Sequence, residues 1–313
     1  MYIFMKCLSF FICHIPEYMR RSLGSFLGSI FWLFCPGKRK RLAQKQIMDC
    51  GITDDAEKAA AIAKASTVRF GPMIIEVLSY PRYTKESLER KITWHGKEYL
   101  DQVRDSGEGL LFVTSHAGNW EILGAGLAME GYPLISVAQQ QNSKSADKFI
   151  NEYRTMMKQH VTYKTGIRDM IRLLMSGHYI GLLMDQDPGY TGIMVRFFGK
   201  DTLTADGAAK LAGINNSPIV LGLIHSDGPY HHVIDIMPPV RIYDSESKLS
   251  KEEKKKIVYD VTQKLNDLLE THIRKYPEEW FWLHNRWKWT RRLKEKKAEK
   301  EARAMQEDTV TEN

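Results

Sequence analysis

The sequence predicts an α/β domain with a largely parallel mixed sheet that is flanked by helices. Short apolar runs, which are typical of buried strands, alternate along the chain with stretches of helical periodicity. Hydrophobic residues make up 43% of the 313 residues and charged residues 27%, which is ordinary for a globular protein and argues against a disordered chain. No internal repeat is visible, and we therefore expect a single main domain.

The elements follow from local composition in chain order. Residues 55–79 are rich in Ala and predict a helix that ends before Tyr80-Pro81, and the apolar run at 109–114 predicts a buried strand. Further helices are predicted at 119–129, 146–159, 168–175, 204–215 and 251–276. Further strands are predicted at 133–138, 179–184, 194–198, 218–224 and 232–237. These elements form a main domain of residues 42–290, between an N-terminal segment of residues 1–41 and a charged tail of residues 291–313.

The N-terminal segment is apolar but falls short of a clean membrane span. Its two apolar stretches, residues 7–13 and 23–35, are both shorter than the ~20 residues that a spanning helix needs. In the second stretch large apolar side chains recur at helical spacing, and the basic run Lys38–Arg41 follows almost at once. This combination is typical of a helix that lies on an anionic membrane surface. We favour that interpretation over the alternative, a helix packed on the protein's own core.

Charge and motif content narrow the classes of function. The chain has 45 Lys and Arg against 38 Asp and Glu, and its net charge of +7 suits nucleic acid, an anionic membrane or an acidic substrate. It has no dinucleotide-binding GxGxxG motif, no P-loop and no GxSxG nucleophile elbow. No recognised nucleic-acid-binding motif is present either, so no nucleic-acid partner is predicted. The four cysteines have neither zinc-site nor disulfide-framework spacing, and no metal is predicted.

The stretch LLFVTSHAGNWEILG, residues 110–124, carries the candidate site. A predicted strand ends there in Ser-His, and ligands of α/β sheets bind beyond the carboxyl ends of the strands. Asn119 is a favoured N-cap residue, which places Glu121 in the first turn of the next helix. Gly118 lets the loop turn back, so that His116 approaches Glu121. A carboxylate that holds one imidazole nitrogen leaves the other nitrogen as a general base. The alternative is a capped helix beside a structural histidine.

HAGNWE, residues 116–121, resembles the H-x4-D/E motif of the glycerolipid acyltransferase superfamily. In its fuller form, H-x-G-N-W-E, it resembles the branch of bacterial lipid A late acyltransferases and mycobacterial mannoside acyltransferases. Other stretches resemble the same branch in the same order: RSLGSFLGSIF near the N-terminus, Asn142 with Arg154 on the following helix, MDQDPGYTGIMVRFFGK at 184–200 and PEEWFWLHNRWK at 277–288. The resemblance covers about residues 8–290 and implies a glycerolipid-acyltransferase-like fold and O-acyltransferase activity.

The resemblance also implies roles for matched residues. His116 would deprotonate the acceptor hydroxyl, and Glu121 would orient His116 and stabilise the imidazolium. Arg154 would bind an acidic group of the substrate, for which a guanidinium is well suited. The alternative is that Arg154 forms only a surface ion pair.

Further candidate contacts lie close to these residues. Asp185 would shape the acceptor pocket or hold Arg154, whereas Asp187 in Asp-Pro-Gly is more typical of a turn. Backbone N–H groups near Gly118 and Asn119 are the candidate oxyanion donors.

The resemblance further implies the substrates, the partners and the cellular location. The donor would be an acyl thioester of acyl carrier protein or of CoA, with no metal or organic cofactor. The acceptor would be a phosphorylated glycolipid, a lipid A precursor, met at the cytoplasmic face of the bacterial inner membrane. Attachment would be peripheral or through a single N-terminal anchor on the anionic membrane surface. The alternatives are an acyltransferase for another glycolipid or a lysophospholipid, and a catalytically inert membrane-associated protein that binds lipid or carrier protein.

Overall fold

The computed structural model describes residues 1–138, 140, 142–163, 166–228, 230–242 and 249–311, with side chains described as far as residue 302. The helices are α1 Tyr2–His14, α2 Glu17–Phe34, α3 Gly37–Asp49, α4 Ala56–Val68, α5 Phe70–Leu78, α6 Lys85–Glu89, α7 Lys97–Asp105, α8 Trp120–Met129, α9 Lys144–Met156, α10 Ile167–Met175, α11 Gly207–Asn215, α12 Lys251–Lys275 and α13 Lys288–Thr311. The strands are β1 Ile92–His95, β2 Leu110–Thr114, β3 Leu134–Ala138, β4 His160–Tyr163, β5 Tyr179–Leu183, β6 Ile193–Phe197, β7 Lys200–Thr204, β8 Ile219–Ser226 and β9 His232–Ile236. Residues 312 and 313 of the predicted tail lie outside the described residues.

Seven of the strands form one mixed sheet in the order β1-β9-β8-β2-β5-β3-β4. Within it only β8 and β9 pair antiparallel, and the other neighbouring strands pair parallel. The predicted α/β class with a largely parallel mixed sheet is therefore confirmed. Because β2, β5 and β8 run in the same direction, the residues that follow them meet at one edge of the sheet.

Helices cover both faces of the sheet, and β2 shows why its sequence is apolar throughout. Leu111 and Val113 point into a core shared with α3, α4, α11 and α12, whereas Leu110 and Phe112 point into a core shared with α5, α7, α8 and α9. Successive strand residues face opposite sides, so a strand covered on both faces needs an uninterrupted apolar run.

Two predicted helices have different bounds in the structure. The helix predicted over 55–79 is two helices, α4 and α5, which meet at Arg69. Pro72 explains the break, because it has no N–H to donate to the carbonyl of Val68 four residues earlier. The helix predicted over 204–215 begins only at Gly207, since residues 200–204 form β7 in a hairpin with β6. The short elements β1, α7 and β4 have no counterpart in the sequence-based assignment.

The N-terminal helices pack on the rest of the chain through small residues. Gly24 and Gly28 on α2 are buried against the α4–α5 junction, where a β-carbon would lie 2.7 Å from Pro72 and 2.1 Å from the carbonyl oxygen of Val68. Phe26, Leu27, Phe31, Leu33 and Phe34 of α2 point outward, whereas Leu23 and Trp32 pack against the two cores. The predicted boundary at 41/42 falls within α3. In the part of the chain that the structure describes, no helix combines the length and the hydropathy needed to cross a bilayer.

Candidate active site

His116 and Asp185 meet at the carboxyl edge of the sheet because β2 and β5 are neighbours. Thr114 at the end of β2 pairs with Leu183 at the end of β5, which places the residues that follow both strands side by side. The Nδ1 atom of His116 lies 2.8 Å from Oδ1 of Asp185. The His116 side chain keeps 23% of its surface exposed, whereas the Asp185 side chain is buried. This pair has the arrangement of a general base and the carboxylate that orients it.

The second carboxylate oxygen of Asp185 also accepts a hydrogen bond. The indole N–H of Trp280 donates to Oδ2 of Asp185 at 2.9 Å, and Trp280 is itself buried. Burial raises the pKa of Asp185, but the charge of His116 and the hydrogen bonds from His116 and Trp280 more than offset it, so the net pKa is lowered. Asp185 is thus held ionised, with one oxygen on the imidazole and the other on the indole.

A buried arginine fixes the loop that follows His116. The guanidinium of Arg69 donates to the backbone carbonyls of Gly118 at 2.6 Å and of His116 at 3.0 Å. Burial lowers the pKa of Arg69 to about 10, so it remains a cation at neutral pH. Gly118 has φ +58°, and a β-carbon there would lie 2.2 Å from the carbonyl oxygen of Ile224. The loop can therefore turn back only with glycine at this position.

Asn119 caps α8 and joins a buried polar network. Its Oδ1 accepts from the backbone N–H of Ile122 at 3.1 Å, as the sequence predicts for an N-cap. Its Nδ2 donates to Glu76 at 2.6 Å, and the other oxygen of Glu76 lies 3.0 Å from Nε2 of His232. Burial lowers the pKa of His232, but the charge and the hydrogen bond of Glu76 outweigh it, and the net pKa is raised. The Asn119 side chain is thus committed to structural contacts.

Glu121 contacts Arg154 and not His116. The Nε and Nη2 atoms of Arg154 donate to the two carboxylate oxygens of Glu121 at 2.9 and 2.5 Å. The Arg154 side chain is 18% exposed and the Glu121 side chain 8%. The sequence-based placement of Glu121 against the imidazole is therefore corrected, because Asp185 holds Nδ1 of His116. The alternative in which Asp185 braces Arg154 is corrected by the same contacts.

The pair of Glu121 and Arg154 leads to a prediction about stability. Glu121→Gln leaves a largely buried guanidinium without its counter-ion, and we expect the free energy of unfolding to fall by about 3 kcal/mol, at the low end for broken buried pairs. Replacing both residues, by Leu and Met, should cost less than the sum of the single changes. Urea unfolding measures both effects. Glu89→Gln, which removes the exposed pair with Lys85, is the matched control and should change stability by less than about 1 kcal/mol. A Glu121→Gln variant as stable as this control would contradict the prediction.

Contacts in the structure also bear on the sequence-based assignments of Gly118 and Asp187. The Gly118 N–H donates to the carbonyl of Glu279 at 2.9 Å, so it is already committed and its assignment as an oxyanion donor is corrected. The carboxylate of Asp187 accepts from the backbone N–H groups of Gly189 at 3.0 Å and Trp289 at 2.8 Å, which is turn chemistry.

A cavity of about 250 Å³ lies beside the loop after His116, between α2, α5 and β9. Three cationic side chains, Arg20, Arg21 and Arg69, share its wall with three carboxylates, those of Glu17, Glu76 and Glu279. Sequence reasoning missed Arg69, Glu76 and Trp280 as parts of the site. Of these three, only Trp280 could have been found from the sequence, since it lies within the PEEWFWLHNRWK stretch that resembles the family.

Comparison with known proteins finds acyltransferases among the relatives of this chain. The chain is 27% identical over 226 residues to a phosphatidylinositol mannoside acyltransferase of Mycolicibacterium smegmatis, covering 67% of this chain and 70% of that protein. It is 22% identical over 204 residues to lipid A biosynthesis acyltransferase 2 of Shigella flexneri, covering 63% and 61%. It is also 22% identical over 286 residues to a lipid A biosynthesis acyltransferase of Haemophilus influenzae, covering 87% and 82%.

Among solved structures, the 1-acyl-sn-glycerophosphate acyltransferase of Thermotoga maritima aligns with 82% of this chain and 98% of its own, at 15% identity and a TM-score of 0.36. The family described as bacterial lipid A biosynthesis acyltransferase matches residues 2–289. Because that match spans nearly the whole chain, the protein belongs to the bacterial lipid A biosynthesis acyltransferase family and is an acyltransferase.

Proposed function

We propose that the protein transfers a fatty acyl chain from an acyl thioester to a hydroxyl of a lipid A precursor at the cytoplasmic face of the bacterial inner membrane. The observation that carries this proposal is the chain of contacts from His116 to Asp185 to Trp280 at the carboxyl edge of the sheet. It gives one exposed base and needs no serine or cysteine nucleophile, since the acceptor supplies its own hydroxyl.

The reaction follows from these contacts. With Nδ1 of His116 held by Asp185, Nε2 takes the proton of the acceptor hydroxyl while the hydroxyl oxygen attacks the thioester carbonyl. A tetrahedral oxyanion forms and collapses, the carbon–sulfur bond breaks, and the leaving thiolate takes the proton back from the imidazolium. Asp185 is a positioning residue in this scheme, because it stabilises the imidazolium without touching the substrate. The Asn119 backbone N–H stays the predicted oxyanion donor.

Two arginines support a phosphorylated acceptor, because two of the three carboxylates beside them are already paired, Glu17 with Lys91 and Glu76 with His232. The cavity beside the His116 loop carries Arg20 and Arg21 in addition to Arg69, whose guanidinium is committed to the loop. We propose that the polar headgroup of the acceptor lies in this cavity. Binding of an acceptor phosphate by Arg154 stays a prediction; Nη1 is the terminal guanidinium nitrogen that does not donate to Glu121. In this proposal acyl carrier protein is preferred over CoA as the donor. It would bring the thioester to the carboxyl edge of the sheet, where His116 lies.

The N-terminal helices support attachment to a membrane surface. The exposed apolar side chains of α1 and α2, which we call the N-terminal apolar face, are Ile3, Phe4, Leu8, Phe10, Phe11, Tyr18, Met19, Phe26, Leu27, Phe31, Leu33 and Phe34. Lys38, Arg39 and Arg41 are exposed immediately beyond it. Apolar patches of this kind rarely face water in a monomer, and adjacent basic residues favour an anionic bilayer.

The membrane proposal gives a direct prediction. The protein should sediment with vesicles that contain anionic lipid, and high salt should release it only in part, since screening does not weaken apolar insertion. Phe31 and Phe34 are 55% and 79% exposed, and replacing both with Glu should weaken vesicle binding by roughly 100-fold, from the loss of about 3 kcal/mol or more. Met175→Glu, at a residue 77% exposed on α10, is the matched control. Equal binding of the double variant and the control, or wild-type protein left in solution at low salt, would contradict the proposal.

The acceptor is tested with the purified full chain and an acyl thioester of acyl carrier protein. A lipid A precursor, a phosphatidylinositol mannoside and a lysophospholipid are offered in parallel, and the esterified products are identified by mass. We expect the lipid A precursor to be acylated, and the product to form at least roughly 100-fold more slowly with His116→Ala. Exclusive acylation of the mannoside lipid would favour the second candidate function, which the 27% identical mycobacterial relative supports. Carrier or lipid binding without any ester product would favour an inert binding protein.

A further inference from the structure

Three side chains that acyl transfer does not use converge beneath α12. They are His225 on β8, Asp235 on β9 and His272 on α12. One ligand atom from each lies within 4.8 Å of the other two. No spacing in the sequence indicates this cluster, because the three residues lie on separate elements.

The strand register brings the first two together. β8 and β9 pair antiparallel with Leu223 opposite Asp235 and His225 opposite Val233. His225 and Asp235 are therefore diagonal neighbours on one face of the sheet. α12 packs across that face, and the rings of His225 and His272 lie with their centroids 5.7 Å apart.

Both imidazoles are buried, and each has a nitrogen without a well-formed hydrogen bond. His225 and His272 are each only 6% exposed. Among the described residues, Nε2 of His272 has no hydrogen-bond partner, and Nδ1 of His225 has only Oδ2 of Asp235 at 3.5 Å, without the geometry of a hydrogen bond. Buried polar atoms without a partner are rare in native proteins and call for an explanation such as an ion.

The distances suit a small transition-metal ion. We propose that His225, Asp235 and His272 form a binding site for a divalent transition metal ion, with Zn²⁺ the ion that two imidazoles and a carboxylate favour. Nδ1 of His225 already lies 3.5 Å from Oδ2 of Asp235, and two ligands of a tetrahedral Zn²⁺ are about 3.4 Å apart. Only His272 has to approach, and three protein ligands leave one position for water.

The surroundings support the carboxylate ligand. Nδ1 of His95 on β1 lies 2.9 Å from Oδ1 of Asp235, so Oδ2 is the oxygen turned to the cluster. Supporting contacts of this kind orient metal ligands. The ion would tie β8, β9 and α12 together just before the segment that carries Trp280, and its role would be to stabilise that part of the fold.

The test uses untagged full-length protein that has been treated with a chelator and then freed of it. Titration with Co²⁺ should give visible ligand-field absorption that saturates at one ion per chain and is displaced by Zn²⁺. His95→Ala, which removes a supporting contact, should weaken Co²⁺ binding by roughly 10- to 100-fold. His272→Gln and Asp235→Asn should weaken it further. His160→Ala, at an exposed histidine on β4 at the opposite edge of the sheet, should bind as the wild type does.

Several outcomes would overturn the proposal. One is the absence of saturable Co²⁺ absorption in folded wild-type protein. Another is unchanged binding in both His272→Gln and Asp235→Asn. A thiolate-to-cobalt charge-transfer band would place the ion on a cysteine instead. Should the ligand variants fail to fold by circular dichroism, the wild-type protein still decides, because Zn²⁺ that binds the native state must raise its thermal midpoint with concentration. A midpoint that Zn²⁺ leaves unchanged counts against the site.

Discussion

His116→Ala is expected to leave a folded protein whose acyl transfer is slower by roughly 10²- to 10⁴-fold, the usual range for loss of a general base. The imidazole is partly exposed at the end of β2, and Trp280 still donates to the buried Asp185, so the loss should appear mainly in kcat, with only a small fall in the thermal midpoint. Transfer is measured as ester formed per unit time from a labelled acyl thioester.

His160→Ala is the matched control for this change. His160 is also an exposed histidine at a strand, but it lies on β4 at the edge of the sheet. Its substitution should leave both transfer and stability near the wild-type values. Near-wild-type transfer by His116→Ala would remove this residue from the mechanism.

Asp185→Asn is the second change with a large expected effect, and the reason lies in the tautomer of His116. The indole N–H of Trp280 is a donor only, so the amide oxygen of an asparagine at 185 must accept from it. The amide NH₂ then faces Nδ1 of His116 and requires that nitrogen to accept. The proton moves to Nε2, which can no longer act as a base, and kcat should fall by roughly 10²- to 10⁴-fold. The KM for the acceptor should change little, because Asp185 does not touch the substrate.

Comparison with Glu121→Gln decides between the two carboxylates. Glu121 is bound to Arg154, so its variant should be less stable yet retain the His116–Asp185 contact and most of its transfer when assayed below its melting temperature. The sequence pattern alone predicts the opposite order of activity, with Glu121→Gln slower than Asp185→Asn. A Glu121→Gln enzyme as slow as His116→Ala, beside a nearly normal Asp185→Asn enzyme, would show that Glu121 is the orienting residue and that the contact with Asp185 is not used.

The sequence by itself determined the class of the fold and the position of the proposed base. The apolar run of β2 is uninterrupted because both faces of the strand are covered, and this makes the strand visible without any tertiary information. His116 directly follows that strand, and Asn119 caps the next helix, so both positions follow from local chemistry. The break at Arg69 could also have been read from Pro72, whose missing N–H is a local property.

Only the tertiary structure decided which side chains touch. Asp185 rather than Glu121 meets His116 because β5 lies next to β2 in the sheet, and the order of strands is set by the packing of the whole chain. Glu121 is drawn instead to Arg154 on α9, since a buried carboxylate needs a counter-ion. A pattern within one segment reports spacing along the chain, whereas a hydrogen bond depends on distance in space, and residues 69 positions apart can be joined only by the fold.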